Sequence, residues 1–306
     1  MTLPILALHG PTASGKSTLA VDVALALGAL GRPAEVVNAD SMLVYRGMDI
    51  GTAKPTEAER RGVRHHLIDL LEVTETASVA DLQRLARAAI ADCHARGVVP
   101  IVVGGSALYM RAILDEFEFP GTDPAVRAHW EAELARLGAE ALHGVLAARA
   151  PDAAADILPG NGRRIVRALE ILDLGAPLTP TLPAWTYALP GVRSWGLELP
   201  RAVLDARIEA RVGQMWAQGF VDEVRGLLPR GLERGRTAPL ALGYRQILQF
   251  LRGEISEAEA REATVRGTRR FARKQLGWFR RDARITWRPA GSRDLAAEIA
   301  AEAVEG

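Results

Sequence analysis

The chain has 306 residues, of which 48% are hydrophobic and 25% charged, ordinary values for a globular protein, and no apolar run reaches the length of a membrane span. The single cysteine, Cys93, excludes an intramolecular disulfide and a cysteine-based zinc cluster and points to a reducing cytoplasm. The net charge of +1 hides an asymmetry, because Arg266 to Arg288 holds nine basic residues against one acid, Asp282.

Ile5-Leu6-Ala7-Leu8 reads as a buried strand that opens directly into a phosphate loop, so the start of the chain is not expected to be a signal peptide. The loop, Gly10-Pro11-Thr12-Ala13-Ser14-Gly15-Lys16-Ser17, is a full match to G-x-x-x-x-G-K-[ST]. Its glycines permit a tight turn with backbone N–H groups pointing inward. Those groups and the following helix N-terminus favour an anion, and Lys16 adds a full charge. The Ser17 hydroxyl can join the shell of a Mg²⁺ ion. Leu19, Ala20, Val23, Ala24 and Leu27 repeat at helical spacing, with Gly28 as the expected C-cap.

Glu35–Ala39 reads as a second strand ending at Asp40-Ser41. His65 and His66 are adjacent, so on a strand they face opposite ways and cannot easily share a metal. Asp69 is open to two readings, a Mg²⁺-holding carboxylate or a residue engaged in capping or core hydrogen bonding. A helix is predicted over Val79 to Arg96, with Ser78 as N-cap and Gly97 as its stop. Val98–Val103 is another buried strand, followed by Gly104-Gly105-Ser106. Residues 121–191 break the alternation: helices are expected around Val126–Leu137, Ala139–Arg149 and Arg163–Leu174, then a Pro-rich stretch from Ala176 to Pro190 in which Trp185 and Tyr187 serve packing rather than base stacking. Arg193–Leu199 and Ile285–Trp287 are later strands, and the C-terminal third is mostly helical.

The fold class expected is therefore α/β, a phosphate-loop NTPase-like parallel sheet flanked by helices, formed by residues 1–120 and 192–306, with 121–191 an all-helical insertion domain. Ligands of such sheets sit beyond the carboxyl ends of the strands. The Gly10–Ser17 loop, Asp40-Ser41 and Gly104-Gly105-Ser106 are thus expected to converge. Near the C-terminus, Arg266, Arg269, Arg270, Arg273 and Lys274 share one helical face, extended by Arg280 and Arg281. Val265, Phe271, Ala272, Trp278 and Phe279 are expected to anchor the opposite face. A ridge of one sign points to a polyanion, most simply nucleic acid.

The chain resembles the tRNA dimethylallyltransferases, also called tRNA isopentenyltransferases, nearly end to end. The resemblance rests on Gly10–Ser17 (GPTASGKS), Asn38–Tyr45 (NADSMLVY), Gly51–Pro55 (GTAKP), His65–Asp69 (HHLID), Val103–Tyr109 (VGGSALY), Arg163–Glu170 (RRIVRALE), Leu242–Gln246 (LGYRQ) and Thr268–Arg280 (TRRFARKQLGWFR). It implies prenyl transfer from dimethylallyl diphosphate to the exocyclic amine of the adenosine 3′ of the anticodon, in tRNAs reading codons that begin with U. The cradle would hold the diphosphate leaving group with Mg²⁺ near Ser17. Asp40 resembles the family's catalytic aspartate, and Ser106 would help place the base. The segment Asp40, Ser41, Met42 and Leu43 would line the RNA pocket. Arg127, Arg163, Arg164 and Arg167 would grip the anticodon stem from the insertion. Gly243, Tyr244, Arg245, Arg273, Lys274, Gln275, Trp278 and Arg280 would be further tRNA contacts, and Lys54 and Arg211 would either contact the donor or serve a structural or surface role. The resemblance also implies a monomer. Two departures stand out. Leu43 replaces a glutamine common in the family, and Leu158-Pro159-Gly160-Asn161-Gly162 has glycine at the second acidic position of the segment preceding the insertion's arginines. Other classes share the loop: a small-molecule kinase using ATP, an RNA-binding switch, or a prenyltransferase acting on free adenine nucleotides.

Overall fold

A computed structural model describes residues 3–178 and 184–305. It divides the chain into two compact units, Met1–Asp115 with Tyr187–Gly306, and Glu116–Thr186. The alternation expected from the sequence holds through the first stretch: β1 (Ile5–His9), α1 (Lys16–Ala29), β2 (Ala34–Asn38), α2 (Glu57–Arg60), β3 (His65–His66), α3 (Val79–Ala95), β4 (Val99–Gly104) and α4 (Ala107–Leu114). Four helices follow in the second unit: α5 (Pro124–Leu137), α6 (Ala139–Arg149), α7 (Pro151–Ala155) and α8 (Gly162–Asp173). The chain then returns as β5 (Val192–Glu198), α9 (Arg201–Ala217), α10 (Phe220–Leu227), α11 (Tyr244–Leu251), α12 (Glu257–Phe279), β6 (Ile285–Pro289) and α13 (Leu295–Glu305). Part of the Pro-rich stretch, 179–183, lies outside the described residues.

The strands form one sheet in the order β3-β2-β4-β1-β5-β6, with every pairing parallel. β1 and β4 are buried along their whole length, as a parallel sheet covered on both faces requires. Successive side chains then serve opposite faces. Ile5, Ala7, Val37 and Val102 pack with α3, α4, α10 and α11 through Ile90, Met110, Phe220 and Ile247. Leu6, Leu8, Val36, Ile101 and Val103 pack instead with α1 and α13 through Val23, Leu27, Ile299 and Ala303. β1 lies between β4 and β5: the chain leaves it for β2 and β3 on one side, returns as β4 beside it, and then crosses to β5 and β6 on the other. The crevice beyond the carboxyl ends of β1 and β4 is the natural ligand position.

Local signals set most boundaries. Ser78 caps α3 by accepting the Asp81 N–H, and Gly97 at φ 73° ends it. The capping of α1 differs from expectation: Gly28 lies inside the helix, and Gly31 at φ 73° supplies the left-handed exit.

The second unit has its own core of Trp130, Leu142, Leu146, Ile165, Val166 and Leu169. Asp123 caps α5 through the Ala125 and Val126 N–H groups, with Pro124 in the first turn. Asn161 caps α8, accepting the Arg164 N–H. A Cβ on Gly162 would lie 2.8 Å from Leu134. Glycine in this divergent segment therefore lets the start of α8 press against α5. Buried Glu170 is held by Thr122 at 2.5 Å, Arg167 at 2.8 Å and Arg127 at 3.3 Å. Burial alone would raise its pKa, but these donors reverse the sign and leave the carboxyl below its ordinary range.

Candidate active site

His9 ends β1, and the loop turns from it into α1 at Lys16. A Cβ on Gly10 would sit 2.8 Å from the Ser14 hydroxyl, so the turn needs glycine there. Ala13 at φ 62° and Gly15 at φ 93° both adopt left-handed conformations. Gly15 is the N-cap of α1 and offers no side chain, and the first turn contains no acid. The opening N–H groups are thus left for an anion. The Lys16 ammonium folds back to donate to the Pro11 carbonyl at 3.3 Å.

Asp40 follows β2 in a tight side-chain turn. Its N–H donates to Asn38 Oδ1, and its Oδ1 accepts the Met42 N–H, each at 2.9 Å. Ser41, Met42 and Leu43 are half-buried beyond it, and Met42 leans on the core. The carboxylate acts on two cations. Burial pulls the Lys16 pKa down to about 8, Asp40 opposes that pull, and Arg211 of α9 adds to it. Burial also lowers Arg211, again opposed by Asp40 and by Glu59. Lys16, Asp40 and Arg211 are therefore coupled electrostatically.

The third wall comes from β4. A Cβ on Gly104 would lie 2.8 Å from Ala39, and one on Gly105 would lie 3.3 Å from the Lys16 nitrogen and 2.5 Å from Gln275 Nε2. The double glycine lets the β1, β2 and β4 loops close on one another. Ser106 begins α4 half-buried, with its hydroxyl unused as a helix cap. The convergence expected of Gly10–Ser17, Asp40-Ser41 and Gly104–Ser106 is met.

Several motif residues occupy other positions. Lys54 is buried and donates to the Tyr45 carbonyl at 2.8 Å, Asp49 at 2.6 Å and Asp69 at 2.5 Å. It is an internal tie, not a free donor contact, and Asp69 is its partner. Tyr244 is fully buried against Phe220 and donates to Glu223 Oε1 at 2.5 Å. A Cβ on Gly243 would lie 2.5 Å from Phe220. Neither Gly243 nor Tyr244 presents a surface to RNA, whereas Arg245 beside them is exposed. Glu223 does not stand out in the sequence. It also accepts the N–H groups of Asp49, Ile50 and Gly51, which joins GTAKP to LGYRQ. Its only sequence signal is an acid in the first turn of an amphipathic helix, a common one. In the second unit Arg163 and Arg164 are exposed, while Arg127 and Arg167 are engaged by Glu170.

The basic helix α12 departs from its expected facing. Ala272 and Phe279 are buried and Val265 is half-buried, but Phe271 and Trp278 are 42% and 41% exposed. They stand among the cations, and the Arg281 guanidinium lies 5.0 Å from the Trp278 ring. Gln275, only 5% exposed, takes the inner position instead. It cannot meet RNA, because both ends of its amide bond this chain: Oε1 accepts the Thr12 N–H at 2.9 Å and Nε2 donates to the Gly105 carbonyl at 2.7 Å. Arg266 pairs with Glu262 and Arg269 with Glu209. Arg270, Arg273, Lys274 and Arg280 are exposed and have no ion pair among the described residues.

One cluster resembles a metal site. His66, Glu35 and Cys93 offer ligand atoms within 4.8 Å of one another, although no companion for His66 is evident from the sequence. Arg96 already spans both Glu35 oxygens at 2.8 and 2.6 Å, and burial pushes the Cys93 thiol up to about 11. A guanidinium in place and a protonated thiol describe an ion-pair network rather than a metal centre.

A parallel sheet with a glycine-rich loop after its central strand and a cationic helix bonded to that loop define an α/β protein of the P-loop NTPase-like fold class. The IPP transferase family profile matches residues 43–282. The tRNA dimethylallyltransferase of Kineococcus radiotolerans is 61% identical over 94% of this chain and 91% of its own length. The full-length tRNA isopentenylpyrophosphate transferase of Bacillus halodurans is similar in structure, with TM-score 0.71 and 39% identity over 99% of this chain and 97% of that one. A eukaryotic dimethylallyltransferase solved acting on tRNA shares the fold, with TM-score 0.77 at 22% identity over 99% of this chain and 79% of that one. The chain belongs to the IPP transferase family.

Proposed function

We propose that this chain transfers a dimethylallyl group from dimethylallyl diphosphate to the N6 amine of the adenosine 3′ of the anticodon, in tRNAs reading codons that begin with U. The products are N6-isopentenyladenosine and diphosphate. The observation that carries this reading is the convergence of the phosphate loop, the Asp40 turn and Gly104-Gly105, where a Cβ on Gly105 would lie 3.3 Å from the Lys16 nitrogen and one on Gly104 2.8 Å from Ala39, with the names of the close relatives in support.

The chemistry follows from charge. The N6–carbon bond forms as the carbon–oxygen bond of the donor breaks, and the bonding electrons leave with the diphosphate. Negative charge grows there, where the loop N–H groups, Lys16 and Arg211 stabilise it. The adenine amine is a weak nucleophile and must shed a proton. Asp40 accepts it: Oδ1 is engaged by Met42, and Oδ2 has no protein partner among the described residues. Ser106, at the start of α4, orients the base, which leaves its stack to enter the site. Ser17 is exposed in the first turn of α1, and its hydroxyl has no partner among the described residues. That fits a Mg²⁺ ion held mainly by the donor's own oxygens. When bound, the ion neutralises part of the leaving-group charge.

For RNA, the reading assigns the exposed cations Arg163 and Arg164 to the anticodon stem, and Arg245, Arg273, Lys274, Arg280 and the Trp278 face to the core side. Leu43 cannot hydrogen-bond a neighbouring base, so recognition there rests on shape. The enzyme acts as a cytoplasmic monomer. Among the described residues no helix is long and apolar enough to cross a membrane.

The test is incubation with Mg²⁺, radiolabelled dimethylallyl diphosphate and unmodified tRNA whose anticodon is followed by adenosine. Label in the tRNA, lost when that adenosine becomes guanosine, is the expected result. Label moving to AMP instead moves the reading to a free-nucleotide enzyme. Transfer to neither returns the kinase and switch alternatives.

A further inference from the structure

We infer that Gln275 is a positioning residue through which RNA docked on α12 tightens the diphosphate cradle. This rests on the function proposed above and deepens it. The helix has two working faces. Outward it presents Arg270, Arg273 and Lys274, exposed and free of ion pairs among the described residues. Inward, at the next position, the Gln275 amide bridges the phosphate loop at Thr12 and the β4 loop at Gly105.

The bridge is tightly fitted. A Cβ on Gly105 would come within 2.5 Å of Gln275 Nε2, so the approach exists only because residue 105 is glycine. Ala272 of the same helix is buried with Leu204 and Ile208 of α9, and Leu276 and Ala13 pack against that cluster. Ala13 holds φ 62°, a conformation that costs a non-glycine residue energy and persists only where its surroundings impose it. One turn of α12 thus imposes the backbone of Thr12 and Ala13 by hydrogen bond and by packing. The chemistry selects glutamine. One end must accept from an N–H and the other must donate to a carbonyl, and a carboxylate can do only the first.

RNA phosphates gripping the outer cations hold the helix still. The cradle is then already ordered when the diphosphate arrives, and the second ligand loses less ordering entropy. By linkage, diphosphate must tighten RNA by the same factor.

The experiment measures the Kd of inorganic diphosphate with Mg²⁺, with and without a saturating unmodified anticodon stem-loop whose anticodon is followed by adenosine, and then the Kd of that RNA with and without diphosphate. The wild-type protein is expected to show mutual tightening of about fivefold or more, equal in both directions. In Gln275→Ala the factor falls to one, while the affinity for RNA alone is unchanged. Gln275→Glu is the second variant. It keeps the acceptor for Thr12 but sets oxygen against the Gly105 carbonyl, and it too loses the coupling. Circular dichroism checks that both are folded. Equal affinities in the wild type, or a coupling factor that survives in both variants, overturns the proposal. Prenyl transfer to the same stem-loop is measured in parallel. A wild-type protein that neither binds nor modifies the RNA overturns the functional reading and this inference with it, whereas transfer without coupling overturns the inference alone.

Discussion

The hydroxyl of Tyr244 donates to Glu223 Oε1 at 2.5 Å, while the other oxygen of the same carboxylate collects the N–H groups of Asp49 and Ile50. One acid thereby fastens the Gly51–Pro55 segment to the start of α11. Burial, with the Glu223 charge beside it, drives the phenol well above its usual range, so it stays a donor at any working pH. Tyr244→Phe removes this charge-assisted bond and is expected to cost about 1.5–3 kcal/mol of stability, seen as a lowered midpoint in urea unfolding. The affinity of the folded protein for tRNA is unchanged. A direct RNA contact would give the opposite pattern.

Asp40→Ala removes the proposed proton acceptor. Turnover is expected to fall on the order of 10²–10⁴-fold, with tRNA Kd nearly constant. Single-turnover kinetics beside filter binding separate the two. Parallel losses of rate and affinity would reassign Asp40 to binding.

Lys16 gives a pH signature. Its pKa in the free site is held at about 8 by burial, so the ammonium is lost as pH rises through that value, and a bound diphosphate favours keeping it. Donor affinity is therefore expected to fall progressively above pH 8, and a diphosphate titration over pH 7–9.5 reads it. The sign for stability is the reverse. A lysine depressed below its unfolded value penalises the fold at low pH, so Lys16→Met is expected to raise the thermal midpoint at pH 7 while abolishing donor binding.

The Arg127–Glu170–Arg167 cluster holds the helical unit together. The folded pKa of Glu170 lies below its unfolded value, so its contribution is present above the ordinary carboxylate range and is lost as pH falls through the folded pKa. Arg167→Ala leaves a buried carboxylate with fewer donors and is expected to cost about 1–3 kcal/mol. Thermal unfolding between pH 3 and 7 should show a shallower acid slope in the variant.

The cationic ridge is read by salt. Each phosphate that a cation neutralises in a single-stranded loop contributes about 0.7 to the slope of log K against log salt. Arg273→Ala is expected to make the slope shallower by that amount and to weaken all tRNAs alike. A slope unchanged from wild type would remove Arg273 from the interface.

The sequence was most legible where the signal is local. Strand β1, the phosphate loop and α1 could be read directly, because a buried parallel strand is a continuous apolar run and a cradle needs glycines at set intervals. Ser78 announced its helix because a cap acts on the next turn. The facing of α12 was less legible. Phe271 and Trp278 read as anchors by hydrophobicity, yet they stand outside, because the inner positions go to Ala272, Gln275 and Phe279 against neighbours remote in sequence.

By itself the sequence determined the α/β class, the cradle and the cationic helix, since each follows from periodicity, turn chemistry or charge within a few residues. Only the tertiary structure decided that Asp40, Lys16 and Arg211 share one field, that Lys54, Gly243 and Tyr244 are internal, and that Gln275 bridges Thr12 and Gly105. Those roles depend on which distant residue supplies the partner for a buried polar group. That is settled by the winding of the sheet and the packing of helices on it, and no local pattern encodes it.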